Sequence, residues 1–83
     1  MLTIMAVRVE FTRHARRTMQ QRRVTEEEVR QTLSQPDRTA TDSDGGPLAF
    51  RRFADGVTVK IAYVVDAGVC VVKTVICRPE RSP

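Results

Sequence analysis

The 83-residue chain has one histidine, two cysteines and no uninterrupted apolar run near 18 residues. Each scarcity removes a class of function. One histidine, two separated cysteines and acids that read as surface residues offer no ligand cluster, so neither a metal nor another cofactor is expected. Cys70 and Cys77 lie seven residues apart in one apparent strand. Strict alternation sends them to opposite faces, where they can neither bridge nor share a metal. Neither has a histidine neighbour in sequence, which speaks against a reactive-cysteine site, and a serine triad fares no better. Glycine is sparse, and Asp44-Gly45-Gly46-Pro47 lacks the following helix and lysine that a phosphate-binding loop requires. With no charged-then-apolar leader and no spanning segment, a reducing cytoplasm is the expected compartment.

Also missing is any acid between Phe11 and Arg23, a stretch holding five arginines and the single histidine, His14. The whole chain carries a formal charge of +4 with 29% charged and 41% hydrophobic residues. That balance describes one small globule with a modest core, for which a polyanion or an acidic protein is the first partner to consider.

Residues 1–83 read as a single α+β domain, with an ordered core over about 7–77 and a flexible tail from 78. Val7, Val9 and Phe11 alternate with Arg8 and Glu10 as a short half-buried strand. Thr12 then caps a helix to about Arg22 with a thin apolar row of Phe11, Ala15 and Met19. Thr25 and Glu28 form a capping box, with Val24 and Val29 at the staple positions, and Val29 and Leu33 continue the buried row. The helix ends at Ser34-Gln35-Pro36. Asp37 to Pro47 reads as a loop with a short extended piece, followed by a three-stranded antiparallel meander. The expected architecture is therefore an N-terminal strand, a two-helix hairpin and the meander in one sheet, with the helices packed on one face.

Asp55-Gly56 predicts a two-residue hairpin turn, and Asp66-Ala67-Gly68 a three-residue one. Those registers set Arg51 opposite Lys60 and Lys60 opposite Thr74. Leu48, Phe50, Val59, Ile61, Tyr63, Val65, Val71 and Val75 then share the bulky face. Like charges opposite one another on neighbouring strands destabilise a sheet by up to about 1 kcal/mol, so the row Arg51, Lys60, Thr74 suggests a bound anion between them. The plainer alternative is that both long side chains splay into water.

On a helical wheel His14, Arg17, Thr18 and Gln21 share one flank of the apolar row, while Arg13, Arg16 and Gln20 point outward. Arg13, Arg16 and Arg23 form a solvated face that a phosphate backbone would meet. Arginine near a helix start opposes the macrodipole, so helix stability does not explain this density. Glu26-Glu27-Glu28 has a sufficient structural reason at the positive end of the second helix. The triplet would also repel DNA from a helix-turn-helix.

"HARRTMQQRRVTEEEVRQTLSQPDR", followed by strands ending in "VVKTVI", resembles the bacterial domain-of-unknown-function family 4258 from about Val9 to Ile76. His14, Ala15, Met19, Arg22 and Thr74 match its pattern, and Val24 and Thr25 stand for its Ile and Ser. Thr18 replaces an arginine, which Arg17 on the same flank would have to supply, and Arg23 replaces a glycine. The family looks distantly similar to RelE-like and barnase-like ribonuclease toxins. That likeness implies a metal-independent endoribonuclease of toxin type, acting on RNA, free or ribosome-bound, and neutralised by an acidic antitoxin. His14 would be general acid or base, Arg51 and Lys60 would clamp the scissile phosphate, Thr74 would donate a hydrogen bond, and Arg17 or Arg22 would hold a neighbouring phosphate. The alternative is a non-catalytic module that binds nucleic acid or protein through the same face. A strand edge is left for a homodimer or an antitoxin strand.

Overall fold

In the computed structural model, which describes residues 8–81, the chain is an α+β domain. The elements are β1 (Arg8–Phe11), α1 (Arg13–Arg22), α2 (Glu26–Ser34), β2 (Arg38–Thr41), β3 (Pro47–Arg52), β4 (Thr58–Asp66) and β5 (Val69–Arg78). The strands make one mixed sheet in the order β1-β5-β4-β3-β2, antiparallel except where β1 runs parallel to β5. The extended piece expected between Asp37 and Pro47 is β2, a full edge strand on β3. Val7 lies outside the described residues.

Local signals build the helices. The Thr12 hydroxyl accepts from the Ala15 N–H, and Thr25 and Glu28 complete the capping box in both directions. Between the helices Arg23 takes the left-handed conformation, φ 57°. Its N–H donates to the Gln20 carbonyl and the Val24 N–H to that of Met19, with Val24 and Met19 buried together in the core. This is a Schellman closure with arginine at the position where glycine costs least.

Both helices pack on one face of the sheet. Ala15, Met19, Val24, Val29 and Leu33 meet Ala49, Val59, Ile61, Tyr63, Cys70, Val72, Val75 and Cys77 in one buried cluster. Cys70 and Cys77 therefore share a face, contrary to simple alternation. A bulge is the reason: Tyr63 pairs with Val72 and Ala62 with Thr74, leaving Lys73 as an extra residue that resets the period. Seven strand residues still hold the two thiols ~23 Å apart, too far to bridge.

The two hairpin loops exchange the lengths expected of them. The first closes over Ala54-Asp55-Gly56, with Gly56 at φ 83° and the Asp55 carboxylate accepting from the Val57 N–H. The second closes over Ala67-Gly68 alone, both at positive φ, which matches strand twist in a two-residue turn. The first change slips the β3–β4 register by one residue. Phe50 now faces Lys60 and Arg51 faces Val59. Leu48 and Phe50 consequently leave the expected bulky face and Ala49 joins it, while the shorter second loop and the bulge remove Val71 from it and bring in Cys70, Val72 and Cys77.

β1 covers only Val69 to Val72 of the outer edge of β5. Beyond it, α1 satisfies that edge. The Thr12 hydroxyl donates to the Lys73 carbonyl at 3.2 Å and the Val75 N–H donates to the Thr18 hydroxyl at 3.2 Å, while from the core the Cys77 thiol donates to the Arg22 carbonyl at 3.5 Å. Thr18→Val keeps the shape but leaves the Val75 N–H buried without a partner. It should cost about 1–3 kcal/mol in denaturant unfolding and lower hydrogen-exchange protection at Val75 specifically. Arg23→Gly should have the opposite sign, raising stability by about 0.5–1 kcal/mol through relief of the left-handed strain.

Candidate nucleic-acid interface

Twelve arginines dominate the charge of this chain, and the folded structure divides them into those held by acids and those that are not. Arg22 pairs with Glu80, Arg30 with Glu26, and Arg8 with Glu10. Arg16 stays exposed, as expected of its outward position. It turns toward α2, 3.8 Å from Glu26 and 4.8 Å from the Phe11 ring centroid. Arg23 is spent on the turn between the helices.

Arg81 is the most thoroughly used. Its guanidinium makes a two-pronged bond to Glu28 at 2.7 and 2.9 Å, reaches Asp55 at 3.0 Å, and donates to the Arg23 carbonyl at 2.8 Å. The segment that the sequence marks as a flexible tail is thus tied down as far as Arg81, because three separate turns present acceptors to one planar fork. Partial burial works against the Glu28 carboxylate, but Arg81 and the Thr25 N–H outweigh it and hold the group below the usual carboxylate range.

Among the described residues, the side chains of Arg13, Arg17, Arg23, Arg38, Arg51, Arg52, Lys60, Lys73 and Arg78 have no acidic partner. Four of these converge. On the sheet face turned away from the helices, pairing aligns Arg38, Phe50, Lys60 and Ile76 in one row across β2, β3, β4 and β5. The adjacent row is Arg52, Thr58 and Arg78. Cations alternate with neutral residues in both rows, so no two like charges sit directly opposite. They stand about two strand spacings, ~10 Å, apart. Arg38, Phe50, Thr58, Lys60, Ile76 and Arg78 line a shallow groove with no acid in it. The Arg38 guanidinium lies 3.9 Å from the centre of the Phe50 ring.

The residues expected to form a catalytic site are only partly brought together. Lys60 and Thr74 share the helix-free face, on adjacent rows of neighbouring strands, since Lys60 pairs with Ile76 and Thr74 with Ala62. Arg51 does not join them: the one-residue slip turns it to the opposite face, where it donates to the Gln35 carbonyl at 2.7 Å. The row Arg51, Lys60, Thr74 is therefore not formed.

His14 is exposed on α1, on the helix side of the sheet. It falls about 40° round the helix from Thr18, the residue bonded to the β5 edge, so its flank looks out past that edge. Thr18 itself is buried and serves the strand rather than a ligand. Burial pushes the Cys70 thiol up, away from a reactive thiolate. Sequence reasoning missed Arg38, Arg52 and Arg78, although alternation along β3 and β5 contained the signal once the register was known.

Taken together, these features define a small α+β domain with a mixed five-stranded sheet and a cationic sheet face. The chain belongs to the domain-of-unknown-function family DUF4258, whose family model matches residues 11–77. No curated protein and no solved structure matches it. No helix of the described residues is long and apolar enough to cross a membrane.

Arg81→Met should lower stability by about 2 kcal/mol at neutral pH, a fall of about 10 °C in Tm. The Glu28 share of that difference belongs to a depressed carboxylate. It is fully present above the unfolded-state value and is lost as pH falls through the folded-state one, so the two melting curves should converge in acid.

Proposed function

We propose that this domain binds RNA through the helix-free sheet face, with Arg38, Arg52, Lys60 and Arg78 contacting phosphates. The observation that carries the proposal is their arrangement: four cations without acidic partners in two adjacent rows, around a groove with no acid. Cations gathered on one face repel one another, and a phosphate backbone supplies a counter-charge while releasing its own bound ions. Thr58 and Thr74 add hydroxyls that can bond to phosphate or sugar.

A second reading keeps catalysis, and one contact favours it. The Thr12 hydroxyl bonds the Lys73 carbonyl at the bulge, which brings the first turn of α1, containing His14, to the edge of the same sheet. Bulges commonly adjoin active sites because they re-aim side chains. A strand of RNA leaving the face over that edge would pass His14 and Arg17. His14 would take the 2′-hydroxyl proton or supply one to the leaving 5′-oxygen, while Lys60 and Thr74 stabilise the phosphorane. In this reading the domain is a metal-independent endoribonuclease of toxin type, and an acidic antitoxin is the protein that would cover the basic face.

Binding of a labelled RNA across a salt series tests the first reading. If all four cations engage, log affinity should fall against log salt with a slope of about −3 on a single strand. Lys60→Glu and Arg78→Glu should each weaken binding at least tenfold, whereas Arg13→Glu should change it little. A larger loss from Arg13→Glu than from Lys60→Glu would move the interface to α1. Incubating the same RNA in EDTA tests the second. Cleavage to 2′,3′-cyclic phosphate ends that disappears in His14→Ala, with affinity kept, supports catalysis, and intact RNA with retained binding rejects it.

A further inference from the structure

The four cations account for attraction to phosphate, but not for what lies between them. Phe50 and Ile76 occupy the alternate places in the row Arg38-Phe50-Lys60-Ile76. A surface that recognised only backbone charge would gain nothing from half-buried apolar side chains there. The Arg38 guanidinium, 3.9 Å from the Phe50 ring centre, is held in place by that ring and is itself a planar, weakly hydrated surface. Arg38 is exposed, on the edge strand β2, so this paired surface stands at the rim of the groove.

We propose that the Arg38–Phe50 pair is a stacking platform for one unpaired base, and that the face accordingly takes RNA as a single strand. The proposal rests on the RNA reading of this same face and adds the form of the ligand. In an RNA duplex the base faces are stacked within the helix, and a shallow sheet surface meets only phosphates and sugars. A single strand can turn a base outward onto a guanidinium or aromatic plane while its phosphates follow the neighbouring cations. Lys60, next to Phe50 in the row, and Arg78, opposite Thr58 in the adjacent row, are placed to hold the flanking phosphates.

The test is equilibrium binding of three fluorescein-labelled probes at one salt concentration: single-stranded oligoadenylate RNA of eight nucleotides, the same strand in a blunt RNA duplex, and an abasic ribose-phosphate octamer. Oligoadenylate should bind at least tenfold tighter than either of the others. Arg38→Lys keeps the charge and removes the plane, and should cost about tenfold on oligoadenylate with little change on the abasic strand. Phe50→Leu, which keeps apolar bulk in β3, should act in the same way. Equal affinity for all three probes, or a single-strand preference untouched by both substitutions, overturns the platform and leaves the RNA reading standing. No binding of any probe overturns both.

Discussion

The constraint on which the rest of this structure depends is the outer edge of β5. β5 is the longest strand, yet β1 covers only its first four residues. Unpaired backbone groups on the rest of that edge would be costly beside a packed core. α1 resolves this by lying along the edge and offering the Thr12 and Thr18 hydroxyls in place of a neighbouring strand. The bulge at Lys73 belongs to the same solution. It presents the Lys73 carbonyl to Thr12 and returns Val75 and Cys77 to the core side, so one extra residue serves both backbone satisfaction and packing.

From that edge the distribution of charge follows. Because α1 and α2 occupy one face, Arg16, Arg22 and Arg30 hold the helices to each other and to the C-terminal segment through Glu26 and Glu80, while Arg13 and Arg17 stay exposed without an acidic partner. The opposite face keeps its cations without such partners. The sheet face gathers four cations from four different strands, brought together by strand pairing.

How much of this was legible depended on range. The caps at Thr12 and Thr25, the staple of Val24 and Val29 and the buried row of Val29 and Leu33 are encoded within a few residues, and they appear as read. The α+β class and the order of elements follow from the same local patterns. Sheet registers are different, because one residue in a loop turns every side chain of a strand over. Asp55-Gly56 is compatible with a two-residue or a three-residue turn, and the choice is made by the packing of Ala49, Val59 and Ile61 rather than by the turn itself. That choice sends Arg51 inward and sets Phe50 beside Lys60. The bulge at Lys73 has no local signature in Val-Val-Lys-Thr-Val, since only the strand edge and α1 together call for it.

The first of the two family positions at which this chain departs can be explained on the same terms. Thr18 stands where the resemblance has arginine, and its short hydroxyl reaches the Val75 N–H from a buried position that a guanidinium could occupy only by displacing the helix from the strand. Arg23 stands where the resemblance has glycine and keeps the glycine's left-handed backbone, with its carbonyl accepting from Arg81. That acceptor is a backbone carbonyl that glycine would also supply, so nothing in the structure explains arginine at this position. Arg81 in turn also engages Glu28 of the α2 cap and Asp55 of the first hairpin. One guanidinium ties together the ends of both helices and the β3–β4 loop whose length sets the register, and it is that register that places Phe50 between Arg38 and Lys60.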